Sequence, residues 1–360
     1  MYKLDQNKLS DFLQALCGNR TVYALVKMED QYHLVRADEW HAGKHTLGSF
    51  RPVEPLKSLV FRPREFLGHI ATPFDAAQGR HSEPSSLQER IVIGVKNCDL
   101  AALKIHDHVF LKTEPVDPFY AEAREKTIIV SCDCTDAREV CFCPAVGEQP
   151  YAREGFDINI SPVSSGFVVE SGSERGEKLL KDVEQHLEPA DEAIVKDRDK
   201  KRAEMTQRVC DLAAKKGLQC GTDFQKAIQK TSESELWEDF AEDCVECGAC
   251  NFICCTCHCF LLSDGDSHAA SRGTSKDKVP ARVKQWDSCL YMNFARVAGG
   301  ANPRKHRAER LYNRFDKKFN FFREILGKYA CNGCGRCIEA CAGKIDIREV
   351  LSKAVVGSRE

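Results

Sequence analysis

Residues 244–259 read CVECGACNFICCTCHC, so seven cysteines occupy sixteen consecutive positions. The first four have the spacing C-x2-C-x2-C-x3-C, and residues 331–341, CNGCGRCIEAC, repeat that spacing. This run is typical of bacterial [4Fe–4S] sites. Three cysteines at intervals of three surround one face of a cubane, and the glycines between them let the backbone approach the sulfurs. The duplicated spacing therefore predicts two clusters.

The fourth cysteine of each run is expected to ligate the other cluster, as it does in two-cluster ferredoxins. Structural zinc is the alternative. Zinc sites favour two C-x2-C pairs around one ion, whereas each run here has three cysteines and a more distant fourth. We predict one cluster bound by Cys244, Cys247, Cys250 and Cys341, and a second bound by Cys331, Cys334, Cys337 and Cys254.

The composition indicates a globular, cytoplasmic protein. The 360 residues are 42% apolar, and the formal net charge of −2 gives no overall attraction to nucleic acid or to a membrane. The first residues, MYKLDQNKLSDFLQAL, contain neither the apolar region of a secretory signal nor a membrane-spanning run. We therefore interpret the 20 cysteines mainly as metal ligands rather than as a disulfide framework.

The fold class expected from the sequence is α+β. The runs RIVIGV (90–95) and TIIVSC (127–132) are typical of buried strands, whereas helical patterns dominate the second half, where we identify no strand. We predict an α/β domain over residues 1–190, a helical connector over 191–240, and an all-helical two-cluster ferredoxin domain over 241–360.

A second group of cysteines follows the two predicted strands. Cys98 comes after the first strand, and Cys134, Cys141 and Cys143 come after the second. If the strands are neighbours in one sheet, these four side chains can form a single site. The alternative is a set of buried, reduced thiols, which is how we interpret Cys132.

A basic belt covers residues 268–323, with 14 Lys and Arg against 4 Asp and Glu. Such charge can offset the negative charge of iron–sulfur clusters, raise their reduction potentials or dock an acidic partner. Nucleic-acid binding and a solvated helix face are the alternatives. Residues 263–278, SDGDSHAASRGTSKDK, overlap the start of the belt, and we expect them to form an exposed, mobile loop.

The motifs CVECGACNFICCTCHCF, QWDSC and CNGCGRCIEAC resemble those of an iron–sulfur subunit family. It includes the beta subunits of sulfhydrogenases, the A subunit of anaerobic sulfite reductase, and iron–sulfur subunits of flavin oxidoreductase and heterodisulfide-reductase-type complexes. PLKSLVFRPRE, GVKNCDLAALKIHDHVF, DPFYAEAREKT and CTDAREVCFC also resemble the family, so the likeness covers most of the chain.

The resemblance implies an electron-transfer subunit of an anaerobic, cytoplasmic oxidoreductase complex, with no catalysis of its own. Its partners would be a flavin subunit that handles NAD(P)H and a terminal redox subunit, either a hydrogenase, a heterodisulfide-reductase-type subunit or a sulfite reductase. Because family members have cysteines at the same positions, the resemblance also implies a third [4Fe–4S] cluster in the N-terminal domain, at Cys98, Cys134, Cys141 and Cys143.

Two positions depart from the family pattern, in which proline follows the fourth cysteine of each motif. Cys255 and Ala342 occupy these places. Cys255 is interpreted as a small neutral replacement, with an alternative ligand or a redox-sensitive thiol as the other possibilities. Cys257, Cys259 and Cys289 match family positions, and packing is their default role.

Two rival functions remain open at this stage. Cys255, Cys257, Cys259 and Cys289 could build an unusual cluster that acts on sulfite, a disulfide or polysulfide, which would make the chain a catalytic subunit. The belt could instead belong to a zinc-stabilised nucleic-acid module. The sequence contains no G-x-S-x-G, Walker or G-x-G-x-x-G motif, so we expect no nucleotide or flavin bound mainly by this chain.

Overall fold

The computed structural model describes residues 1–69, 87–266 and 280–358. Its largest element is an eight-stranded mixed sheet with the order β3-β2-β5-β6-β7-β8-β1-β9. The strands of this sheet are β1 Tyr2–Leu4, β2 Thr21–Met28, β3 Gln31–Ala37, β5 Arg90–Val95, β6 Thr127–Cys132, β7 Ile158–Val163, β8 Gly166–Ser171 and β9 Glu188–Pro189.

The two predicted strands, β5 and β6, lie side by side at the centre of this sheet. They pair in parallel, with Ile91 opposite Ile128, and every residue of both strands is buried. Central parallel strands are covered on both faces, which is why their sequences are continuous apolar runs. Because the two strands run in parallel, they end at the same edge of the sheet, and the cysteine-bearing loop that follows each strand begins there.

Helices connect and cover the strands. The helix that follows β5 contains Cys98 in its first turn. The next helix is capped at its N-terminus by Asp117, whose carboxylate accepts hydrogen bonds from the Phe119 and Tyr120 amides. The helices that accompany the large sheet are α1 Leu9–Cys17, α2 Lys57–Val60, α3 Asn97–Leu111, α4 Pro118–Glu125, α5 Glu174–Asp182 and α6 Glu192–Ala214.

A second core lies among the helices of the C-terminal half, where Phe224, Trp237, Phe315 and Phe319 pack together. A π-helical segment, Lys317–Phe321, interrupts this bundle. Nowhere in the described ranges is a helix both long and apolar enough for a bilayer crossing. The helices are α7 Phe224–Lys230, α8 Leu236–Glu242, α9 Ala249–Phe252, α10 Arg307–Asp316, α11 Phe322–Leu326, α12 Arg336–Glu339 and α13 Ile347–Gly357.

The prediction of an all-helical C-terminal domain, and with it the α+β class, is wrong: the chain is a mixed α/β protein. Strands β10 Phe260–Asp266 and β11 Pro280–Trp286 form an antiparallel hairpin within residues 241–360. The hairpin joins β4 Arg64–His69 in a three-stranded sheet, order β10-β11-β4. The predicted loop at 263–278 begins inside β10, and its remaining residues lie outside the described part of the chain.

The hairpin was missed because its stability depends on residues that are distant in sequence. Strand β11 contains Lys284, which is only 3% exposed and forms ion pairs of 2.5 Å with Glu65 and with Asp117. A buried lysine in a polar run is not a strand signal by itself. It becomes compatible with burial only when two carboxylates from the N-terminal half neutralise it.

Candidate iron–sulfur centres

The fold assembles the twelve predicted ligands into three groups, which we name by position. The outer group comprises Cys244, Cys247, Cys250 and Cys341, the inner group comprises Cys254, Cys331, Cys334 and Cys337, and the amino-terminal group comprises Cys98, Cys134, Cys141 and Cys143.

All four cysteines of the outer group line one cavity, together with Cys337, Arg314 and Glu246. The crossed pairing is thus compatible with the fold, because Cys341 of the second motif lies beside the first motif. Gly343 permits this approach: a Cβ at that position would come within 1.9 Å of the Asp243 carbonyl oxygen. Gly248, with φ of +72°, makes the left-handed turn that starts α9 and places Cys250 in it.

The inner group is more deeply buried. Burial, with a smaller contribution from the nearby Cys254 and Cys334, raises the pKa of both Cys331 and Cys337 to about 12. The Cys254 sulfur lies 3.3 Å from the Lys318 Nζ and 3.2 Å from the Thr256 hydroxyl. Both of these groups also donate to the carbonyl of Ala330, which precedes Cys331, at 3.1 and 2.7 Å respectively. The first motif thus supplies one cysteine to the neighbourhood of the second, as the crossed arrangement requires.

The amino-terminal group lines a separate cavity, which Cys334 of the inner group also lines. Its four cysteines come from the ends of β5 and β6, where the parallel pairing brings the two loops together. Burial raises the pKa of Cys143, and Cys141, Cys134 and Cys98 raise it further. Because all four line the same cavity, the four thiols are neighbours.

The amino-terminal and inner groups are in direct contact through their backbones. The Phe142 amide donates to the Gly333 carbonyl at 2.8 Å, and the Asn332 side chain donates to the Cys98 carbonyl at 2.7 Å. Gly333 has φ of +64°, and a Cβ there would lie 2.4 Å from the Cys143 nitrogen. Only glycine allows the two cysteine loops to approach this closely.

A buried ion pair holds the same junction together. The two Nη atoms of Arg336 donate to the Asp99 carboxylate, at 3.0 and 2.8 Å, and the two side chains are 1% and 3% exposed. Arg51 adds a 2.8 Å hydrogen bond from its Nε to the Cys334 carbonyl. The inner and amino-terminal groups are therefore held together by buried contacts.

Two further buried cations face the cysteines without any carboxylate partner within the described ranges. They are Lys318, next to Cys254, and Arg314, which donates to the Asn251 side chain and leaves one Nη without a hydrogen bond. Burial opposes the charge of Lys318, yet Cys254 and Cys257 raise its pKa above the ordinary value. An unpaired buried cation is costly unless negative charge lies nearby.

This arrangement fits a [4Fe–4S] core with four thiolate ligands, because such a unit is negatively charged and would neutralise both cations. The thiol sulfurs are also the ligands that such a core requires. The fit to a single metal ion, such as zinc, is poorer: among the described residues, no three His, Cys, Asp or Glu side chains are arranged to bind one ion.

Of the remaining cysteines, Cys255 lies against the inner group, and Cys257 and Cys289 both contact Asn251. The Cys255 sulfur is buried and lies 3.9 Å from the Cys334 sulfur, and the His106 ring hydrogen-bonds to the Cys255 carbonyl at 2.8 Å. Asn251 contacts both Cys257, at 3.7 Å, and Cys289, at 3.2 Å. His106 therefore packs against Phe110 and supports the Cys255 backbone.

Sequence reasoning did not identify the individual cations at the site. Arg314 and Lys318 belong to the basic belt, whereas Arg51 and Lys57 come from the N-terminal half. Lys57 is buried, donates to the Cys257 carbonyl at 2.9 Å and lies over the Trp286 ring. No local signal marks Arg51 or Lys57, because their role depends on contacts with residues about two hundred or more positions away.

Comparisons with known proteins agree with this geometry. Residues 243–345 match the protein family described as the 4Fe-4S dicluster domain. The chain is 28% identical over 358 aligned residues to the sulfhydrogenase 2 subunit beta of Pyrococcus furiosus. The alignment covers 99% of this chain and 98% of that protein. The resemblance predicted from the motifs is thereby confirmed, and residues 243–345 are similar to 4Fe-4S dicluster domains.

Proposed function

We propose that this chain is the electron-transfer subunit of a cytoplasmic, multisubunit oxidoreductase. In this proposal the outer and inner groups each bind a [4Fe–4S] cluster, and the amino-terminal group binds a third. The observation that carries it is the convergence of three four-cysteine groups with buried cations that have no carboxylate partner among the residues that the structure describes. When bound, each cluster would take up and release one electron.

The chain's own residues would position the clusters and set their potentials. The cysteine loops hold the sulfurs, and the Gly333 contact brings the amino-terminal and inner groups together. Lys318 donates toward the Cys254 sulfur, and Arg314 lies beside both the outer and the inner groups. A positive charge near a cluster favours its reduced, more negative state and therefore raises its potential.

The partners proposed are a flavin subunit that handles NAD(P)H and a terminal redox subunit of the hydrogenase, heterodisulfide-reductase or sulfite-reductase type. Support comes from the similar Pyrococcus protein, whose name describes it as a beta subunit of a sulfhydrogenase. A subunit that only relays electrons needs no substrate pocket of its own. We accordingly propose no catalytic residue in this chain.

The test is the iron, acid-labile sulfide and zinc content of the full chain, reconstituted and kept anaerobic. We expect about twelve irons and as many sulfides per chain, with electron paramagnetic resonance signals on reduction. About eight irons would restrict the clusters to the C-terminal motifs. Zinc in place of iron would overturn the proposal.

A pair of variants assigns the third cluster. Cys134→Ser should remove about four irons, because it takes a ligand from the amino-terminal cavity. Cys132→Ser is the matched control: Cys132 is two residues away and buried, but it does not line that cavity. Equal iron contents in both variants and the unmodified chain would argue against the third cluster and leave the other two unaffected.

A further inference from the structure

The surface beside the outer group is exposed and unusually apolar. Val245, between two outer-group cysteines, is 62% exposed, and Met292, Phe294 and Val297 are also exposed. Cys247 is itself exposed, unlike the other outer-group cysteines. The three apolar side chains belong to the segment 289–306, which has no helix or strand and runs over the first motif.

Specific contacts join this segment to the outer group. The Tyr291 hydroxyl donates to the Cys247 carbonyl at 3.2 Å. The buried guanidinium of Arg310 donates to the Leu290 carbonyl at 2.9 Å and to the Arg304 carbonyl at 3.0 Å, and it also pairs with Glu246 of the first motif. The segment and the motif therefore present one surface, which we call the outer face.

The outer face is also positively charged. Residues 290–307 contain four cations and no Asp or Glu. Arg307 donates to the Cys244 carbonyl at 2.8 Å, which places a guanidinium at the edge of the outer group. Glu246 is neutralised by Arg310, and the exposed acids that flank the two segments are Glu242, Asp243 and Glu309. Glu309 accepts a hydrogen bond from the His306 amide at 3.1 Å. The four cations are Arg296, Arg304, Lys305 and Arg307.

We propose that the outer face is the docking site for an acidic one-electron redox protein, which exchanges electrons with the cluster of the outer group. An apolar centre with a charged rim is the usual anatomy of a protein interface, and cations at the rim select an acidic partner. Electron transfer weakens steeply with distance, so exchange is fastest where the cluster is nearest to the surface. This inference rests on the proposed function.

The test measures how fast the reconstituted full chain is reduced by a small acidic ferredoxin in stopped-flow experiments. Met292→Glu places a negative charge in the apolar centre, and Lys305→Glu reverses a charge at the rim. The matched controls are Val356→Glu and Lys226→Glu, which alter an equally exposed valine and an exposed lysine elsewhere. Reduced methyl viologen, a small cationic donor, reports whether the clusters themselves remain intact.

We expect the second-order rate with ferredoxin to fall on the order of tenfold in both outer-face variants and to depend less on salt in Lys305→Glu. The controls should keep the original rate, and all variants should react normally with viologen.

Three results would overturn the docking inference: a normal ferredoxin rate in both outer-face variants, an equal loss in the controls, or no reduction of the unmodified chain by ferredoxin while viologen reduces it. A chain that binds no iron would instead refute the proposed function, so the two failures are distinguishable.

Discussion

The outer and inner cysteine groups share one sequence spacing but lie in opposite environments. The outer group has an exposed cysteine, Cys247, and an exposed apolar neighbour, Val245. The inner group is buried, and a lysine contacts one of its sulfurs directly. Equal ligand chemistry therefore does not imply equal roles. An exposed cluster is suited to exchanging electrons with a partner protein. A buried cluster is suited to passing electrons between the outer group and the amino-terminal group.

The largest difference between the two groups should appear when iron is removed. We expect a strong iron chelator, added anaerobically to the reconstituted chain, to extract about four irons first, from the outer group, because its cavity reaches the surface. Iron content followed over time, with the resonance signals, would show two phases. A single phase for all irons would mean that burial does not separate the groups.

The Cys247→Ser variant should abolish the fast phase of iron loss. This variant starts with about four fewer irons, because it lacks an outer-group ligand. Cys220→Ser serves as the control, since Cys220 is an exposed cysteine outside all three groups. Persistence of the fast phase in Cys247→Ser would assign it to another group.

A second prediction concerns the junction between the inner and amino-terminal groups. Asp99→Asn should lower the free energy of unfolding by about 3 kcal/mol, because it leaves the buried Arg336 charge without its partner. Denaturant unfolding under anaerobic conditions measures this change. Glu192→Gln, which removes an exposed carboxylate paired with Lys196, should have an effect below about 1 kcal/mol. Similar losses in the two variants would mean that the buried pair is dispensable.

The smallest expected effect concerns the charge of Lys318 beside the inner group and the reduction potential of the cluster proposed there. Lys318→Gln should lower the reduction potential of the inner cluster by on the order of 100 mV, since it removes a positive charge that favours the reduced state. A redox titration followed by electron paramagnetic resonance measures the shift. Lys317→Gln removes the same charge one residue away, where the side chain lies over the Phe321 ring instead of a sulfur. Equal shifts in both variants would show that only the total charge matters.

The ligand candidates could be predicted from sequence because their spacing is a local property. The convergence of Cys98 with Cys134 was also predictable in outline, since parallel strands end at the same edge of a sheet, and β5 and β6 do pair in parallel. The hairpin of β10 and β11 was not predictable in this way. Its pairing with β4 and the neutralisation of Lys284 involve residues from the other half of the chain.

The sequence alone determined the type of chemistry: eight cysteines in two C-x2-C-x2-C-x3-C runs, with a basic belt over residues 268–323, indicate iron–sulfur clusters. Only the tertiary structure decided how the groups differ. It buries Lys318 and Arg314 beside cysteine sulfurs and brings Gly333 against Cys143. It also leaves Cys247 exposed, next to apolar and cationic side chains at the surface. Spacing fixes which atoms can bind a cluster, but burial and neighbouring charge depend on contacts between distant segments, and those contacts arise only when the chain folds.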